Sequence, residues 1–280
     1  MERGNTSSDG AQEKLMFMTL VLNVDSTYAA ILKEVEAEPN DIRAAVCIGL
    51  LARCYKLCKR IMDACAGNDG ELAQILLRCL FESTTSFMLV ARDETSETAK
   101  AFVKSSAQRH RDLRQTIEQL AAGIEHPTTL ALTDKMASDI EEDGFKLDSL
   151  EKTPTHGLSS WLPGSSYFSI ADQVGLKGIH QMSYATESTF MHPNWQNVKR
   201  QHLYRNPENG NWRALPVPGG STRADSEQAL CFSLHALETY FMEFKPAQSE
   251  QVDRVRGLHK TLHKARVDKW QTELKEGQDG

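Results

Sequence analysis

At 280 residues, with 40% hydrophobic and 25% charged side chains, the chain has the make-up of a water-soluble globular protein long enough to bury a full core. A net charge of −6 argues against a general affinity for nucleic acid or for membrane surfaces and leaves room only for a local basic patch. The opening MERGNTSSDG is polar and has no apolar leader, so a cytoplasmic location with reduced thiols is expected.

Residues 1–12 are expected to be disordered. From Glu13 to about Glu38 the apolar residues Leu15, Met18, Leu22, Ala29, Leu32 and Val35 recur near the helical period, and Pro39 ends the run. Asn40 or Asp41 then caps a second helix that Gly67 stops after Ala66. This helix carries Cys47, Cys54, Cys58 and Cys65 on one face and a basic side of Arg53, Lys56, Lys59 and Arg60. Cys54 and Cys58 have a spacing that suits two metal ligands, but no nearby His or second pair completes a tetrahedral set. The cysteines are therefore read as small core residues, and no metal or cofactor is expected. The basic side reads as a solvated face with cations near the helix C-terminus.

Asn68, Asp69 and Gly70 make a tight turn into the stretch around which the chain is organised, residues 72–91, LAQILLRCLFESTTSFMLVA. Its only charges are Arg78 and Glu82, and no Gly or Pro interrupts it. A helix apolar nearly all round is a buried helix, and it should pack antiparallel to the one before it. It is long enough to span a bilayer, but the charges and the Ser-Thr-Thr-Ser run favour a core helix, so no membrane association is expected. Arg78 and Glu82 lie four residues apart on one face, where a buried charge must be paired.

Thr95 or Ser96 should cap a charged outer helix running to about Ala122, and a shorter helix is expected over about 128–142. Residues 143–170 read as a long connection with Trp161, Tyr167 and Phe168 as anchors, followed by a short helix from Ser169 to Val174. Residues 179–192 read as a helix cut off by Pro193. His180, Ser183, Tyr184, Glu187 and Met191 share one side of it, with Ser188 and His192 on the adjoining side. Asn209-Gly210 signals a hairpin pairing about 202–206 with 212–216. Ser221 to Phe244 resumes a helix, Pro246 breaks it, and a charged, peripheral or partly extended helix follows over 249–275.

The candidate site is the set Arg78, Glu82, Ser188 and His192. A core helix with Leu76-Leu77-Arg78-Cys79-Leu80-Phe81-Glu82, followed later by Tyr184, Ser188, His192 and Pro193 at a helix end, resembles a mostly bacterial all-helical family of unknown function over about residues 30–240. The resemblance implies an all-α fold. Such families bear a looser similarity to the HEPN superfamily of small helical bundles, many of them ribonucleases in toxin and phage-defence systems. In that setting His192 would move the 2′-hydroxyl proton and Arg78 hold the phosphate, with Glu82 fixing the Arg and Ser188 the imidazole. One departure stands out: HEPN nucleases carry Arg and His on one helix with four to six residues between them, and nothing of that spacing lies near the core motifs here; it occurs in the charged tail, at Arg254/His259 and Arg256/His263.

The expected protein is thus an all-α multi-helix bundle with a small hairpin near 202–216. Residues 13–245 form its domain, and 246–280 a charged helical tail. Two functions fit: a metal-independent ribonuclease of toxin type acting on RNA, or a non-catalytic scaffold or sensor binding a small ligand, a protein partner or a second copy. The second predicts an exposed aromatic patch around Trp161, Trp195 and Trp212.

Overall fold

The computed structural model of the chain describes residues 6–38, 41–120, 127–146, 149–150, 166–181, 203–208, 211–214 and 223–276. Among these it forms an all-α fold of nine helices with one two-stranded hairpin: α1 (Thr6–Glu34), α2 (Ile42–Ala66), α3 (Gly70–Arg92), α4 (Glu97–Leu120), α5 (Pro127–Glu142), α6 (Tyr167–Gln173), α7 (Lys177–Ile179), β1 (Leu203–Arg205), β2 (Trp212–Ala214), α8 (Arg223–Phe244) and α9 (Ser249–Glu276).

The core is α3 laid between α2 and α8. The α2–α3 pair follows from its turn. Gly67 terminates α2, Asn68 takes a left-handed backbone at φ 57°, and the Asp69 carboxylate accepts a hydrogen bond from the Leu72 N–H at 3.0 Å to cap α3. Asp41 caps α2 in the same way, accepting from the Ala44 N–H at 2.9 Å. Leu77, Leu80, Phe81, Phe87 and Val90 of α3 are fully buried against Leu51, Cys54 and Ile61 of α2 and Phe232, Leu234 and Leu237 of α8. Each such side chain contributes about 1.5–3 kcal/mol by leaving water.

The polar run in α3 is buried as well, and its hydroxyls are satisfied locally. Ser83 Oγ donates to the Cys79 carbonyl at 2.7 Å, and Thr85 Oγ1 to the Phe81 carbonyl at 2.8 Å. Thr84 Oγ1 lies 3.6 Å from Cys54 Sγ. Serine and threonine thus enter a dry interior by bonding one turn back along their own helix.

Helix α1 packs on α2 and α8 through Leu20, Val24, Tyr28 and Ile31. The buried Tyr28 hydroxyl donates to the Ser233 carbonyl at 3.0 Å, and its ring stacks on Tyr55, whose hydroxyl donates to Asp25. The helix begins at Thr6, ahead of the expected start at Glu13, and ends at Glu34 rather than Glu38. Thr6–Gln12 holds no proline, and its one glycine, Gly10, weakens a helix without ending it, so a helix nucleated by the apolar residues that follow can run through it. Leu15, Met18 and Leu22 stay exposed on the side opposite the docked one. The stretch Lys14–Glu34 is long and apolar enough to cross a membrane by length and composition, with 17% of it buried.

Helix α4 is capped from Asp93, which accepts from the backbone N–H groups of both Thr95 and Thr98. The expected Thr95 contributes as well, its hydroxyl accepting from the Glu97 N–H at 3.4 Å, while Ser96 is left-handed at φ 64°. Helices α4 and α5 enclose a small second core of Ala107, Ile140 and Leu150, with buried Arg111 paired to Asp112. Ser166 caps α6, which packs with α7 on α3. The hairpin pairs Leu203 with Ala214, Tyr204 with Arg213 and Arg205 with Trp212. The last helix is not merely peripheral. It is helical from Ser249 to Glu276 and buries Val252, Val255 and Leu262 against the main core.

Candidate functional site

Helix α3 presents Arg78 and Glu82 one turn apart, and the Arg78 Nε donates to Glu82 Oε1 at 3.1 Å. The side chains keep 16% and 29% of their exposure, so the pair sits at the rim of the core rather than inside it. That position lowers the desolvation cost of two charges and leaves them within reach of solvent.

His180, at the C-terminal end of α7, packs an imidazole against the helix that carries this pair. Its ring lies 5.8 Å from the Phe81 ring and 5.4 Å from the Phe168 ring, centre to centre. Partial burial, then the positive charge of Arg78, hold its pKa below the usual histidine value. At neutral pH it is a mostly neutral base. Arg53 of α2 adds a second guanidinium, its Nε donating to Ser83 Oγ at 2.9 Å one turn from Cys79. Lys177 stands over the Phe168 ring at 5.2 Å and is held by Asp172 at 2.9 Å. Arg53, Arg78, Lys177 and the imidazole of His180 thus stand around α3 together with the carboxylates of Glu82 and Asp172, a mixed polar surface in which the guanidiniums are the groups suited to an anion.

Of the four residues singled out in the sequence, Arg78 and Glu82 are paired as expected, and Ser188 and His192 lie outside the described residues. His180 appears in the sequence as one member of a polar strip. Its approach to Arg78 depends on how α6 and α7 fold back on α3, which no local pattern encodes. The buried thiols behave as core residues. Burial raises the pKa of Cys47 and Cys54 to about 12 and that of Cys58 to about 11, far from the thiolate a nucleophile or ligand requires.

A second polar cluster lies between α8 and α9. The ligand atoms of Cys231, His235 and His259 all lie within 4.8 Å of one another. The two imidazoles face each other at 4.5 Å, and Glu238 Oε2 is 3.9 Å from His259 Nε2. Burial holds His235 down to about 4, with the neighbouring His259 the next cause, and burial lowers His259 also. The signal was available in part, since Cys231-x-x-x-His235 has the one-face spacing of a helical ligand pair. Its third member lies on the helix read as peripheral.

No curated protein and no solved structure matches the chain. Residues 44–211, the span that contains Arg53, Arg78, Glu82 and His180, match a family of unknown function, DUF5677, and the chain belongs to that family.

Proposed function

We propose that the chain is a metal-independent ribonuclease of the HEPN-like, toxin or phage-defence type, acting at the Arg78–Glu82 centre. The observation that carries this reading is an imidazole, His180, packed against Phe81 of the same helix that presents a guanidinium fixed in place by a carboxylate. Arg78, with Arg53, would hold the non-bridging oxygens of a phosphodiester and stabilise the charge that grows on them. One imidazole takes the 2′-hydroxyl proton as the 2′-oxygen attacks phosphorus. The P–O5′ bond breaks, and a second acid returns a proton to the 5′-oxygen. His180 and His192 are the two imidazoles for these steps, with Ser188 orienting His192. The products are a 2′,3′-cyclic phosphate and a 5′-hydroxyl.

The test is incubation of full-length protein with a mixed RNA pool and analysis of the new ends. Wild type should cleave to cyclic-phosphate ends, and Arg78→Ala and His180→Ala should retain wild-type far-ultraviolet circular dichroism while losing cleavage. Intact RNA with the folded wild-type protein would reject the reading.

A second reading, a helical scaffold for a protein partner or a second copy, draws on the exposed Leu15, Met18 and Leu22 of α1 and on Trp212, 44% exposed on the hairpin. The other two rings of the expected aromatic patch, Trp161 and Trp195, lie outside the described residues. Concentration-dependent self-association, weakened by Leu22→Asp, would favour it.

A further inference from the structure

We propose that Cys231, His235 and His259 form a binding site for one divalent transition-metal cation of the zinc class at the seam between α8 and α9. The cluster is independent of the Arg78 centre and lies outside the residues that match the family.

Three observations converge. First, the donor set is one thiol and two imidazoles, the borderline-soft combination that zinc and its neighbours prefer. Second, the positions are already gathered. Cys231 and His235 are one turn apart on α8, His259 faces them from α9, and their donor atoms span at most 4.8 Å. A tetrahedral zinc ion sets such atoms roughly 3.4–3.7 Å apart, so closure asks for side-chain movements of about an ångström. Third, His259 Nε2 is buried with no hydrogen-bond partner, while the same ring hydrogen-bonds the backbone of Leu234. A ring anchored through one side, with its other nitrogen aimed into a polar cluster, is how a metal-ligating histidine is held.

Packing of two neutral imidazoles against each other is the competing account. It leaves that buried nitrogen facing only the Glu238 carboxylate, 3.9 Å away. Glu238 borders the site on the side of that same nitrogen: its carboxylate lies 3.9 Å from His259 Nε2 and is held by Arg256 at 2.8 Å. With three protein ligands, the fourth position falls to water or to this carboxylate. On binding, Cys231 gives its thiol proton to solvent and no redox change occurs. The cation would then clamp α9 to α8.

The experiment uses tag-free, full-length protein stripped with chelator and titrated with Co(II), then Zn(II), with far-ultraviolet circular dichroism to check each variant's fold. Wild type should take one equivalent of Co(II) with a thiolate-to-cobalt charge-transfer band, and Zn(II) should displace it. Cys231→Ser should lose the band while Cys65→Ser keeps it. Glu238→Gln should weaken binding by about 10–100-fold, and His259→Ala by at least as much. Absence of the band in the wild type overturns the proposal whatever the variants do, as does a band that survives Cys231→Ser.

Discussion

The bundle holds two polar centres, and they handle charge in different ways. At the rim of α3, Arg78 and Glu82 are full charges that satisfy each other within one helix while keeping some contact with water. Between α8 and α9, Cys231, His235 and His259 come from two helices, burial lowers the pKa of both imidazoles, and one ring nitrogen has no hydrogen bond. The first arrangement suits an anion that visits from solvent. The second suits a cation that stays. Phe81 packs in the core with its ring edge-on to Phe232 at 5.3 Å and tilted to His180 at 5.8 Å.

The largest expected effect falls on the core that carries both centres. Phe81→Ala should destabilise the protein by about 3–5 kcal/mol, read as a lower midpoint in urea, because a fully buried ring leaves a cavity. Next in size, Arg78→Ala should lower RNA cleavage by about 10²–10³-fold, the typical loss when one stabilising donor is taken from a growing oxyanion, while leaving Co(II) binding unchanged. The reverse holds at the other centre. Zn(II) at 100 times its Kd should raise the stability of wild type by about 2.7 kcal/mol, read by thermal unfolding, and should do nothing for Cys231→Ser.

Two smaller effects sharpen the picture. His180 has its pKa lowered by burial and by Arg78, so as a base it stays unprotonated to lower pH than a free histidine. The acid limb of the cleavage rate against pH should therefore fall below about 6.5, and should move up toward that value in Arg78→Gln if residual activity is measurable. Asp93 is a control away from both centres. Its carboxylate, held well below the usual range by hydrogen bonds from Thr95 and Thr98, caps α4. Since its folded pKa is depressed, its stabilisation is present above about pH 4 and is lost as pH falls through the folded value. Asp93→Ala should cost about 1 kcal/mol at pH 7 and less in acid, with neither centre affected.

Local chemistry explains how much of this could be read along the chain. A run from Leu72 to Ala91 with two charges, no Gly and no Pro reads as a core helix in a protein of this composition. Asp41, Asp69 and Gly67 are short-range signals whose hydrogen bonds close within four residues, and Asn209-Gly210 likewise announces its hairpin. The Arg78–Glu82 pair was visible because both members ride one helix. His180 and His259 were not visible as partners, since each meets its centre only after a neighbouring helix folds back. Charge misled the reading of α9, where Val252, Val255 and Leu262 suffice to dock a helix that is otherwise polar. The early start of α1 was missed for a related reason, because polar residues with no breaker can extend a helix that apolar neighbours have nucleated.

The central claim is that RNA chemistry at Arg78 runs without metal, although the same protein binds one elsewhere. Its most direct test is end-group analysis of RNA treated with the protein in excess chelator. Undiminished formation of 2′,3′-cyclic phosphate ends, abolished by Arg78→Ala, is the predicted result. No cleavage at all, or cleavage that needs added metal and survives Arg78→Ala, would contradict it.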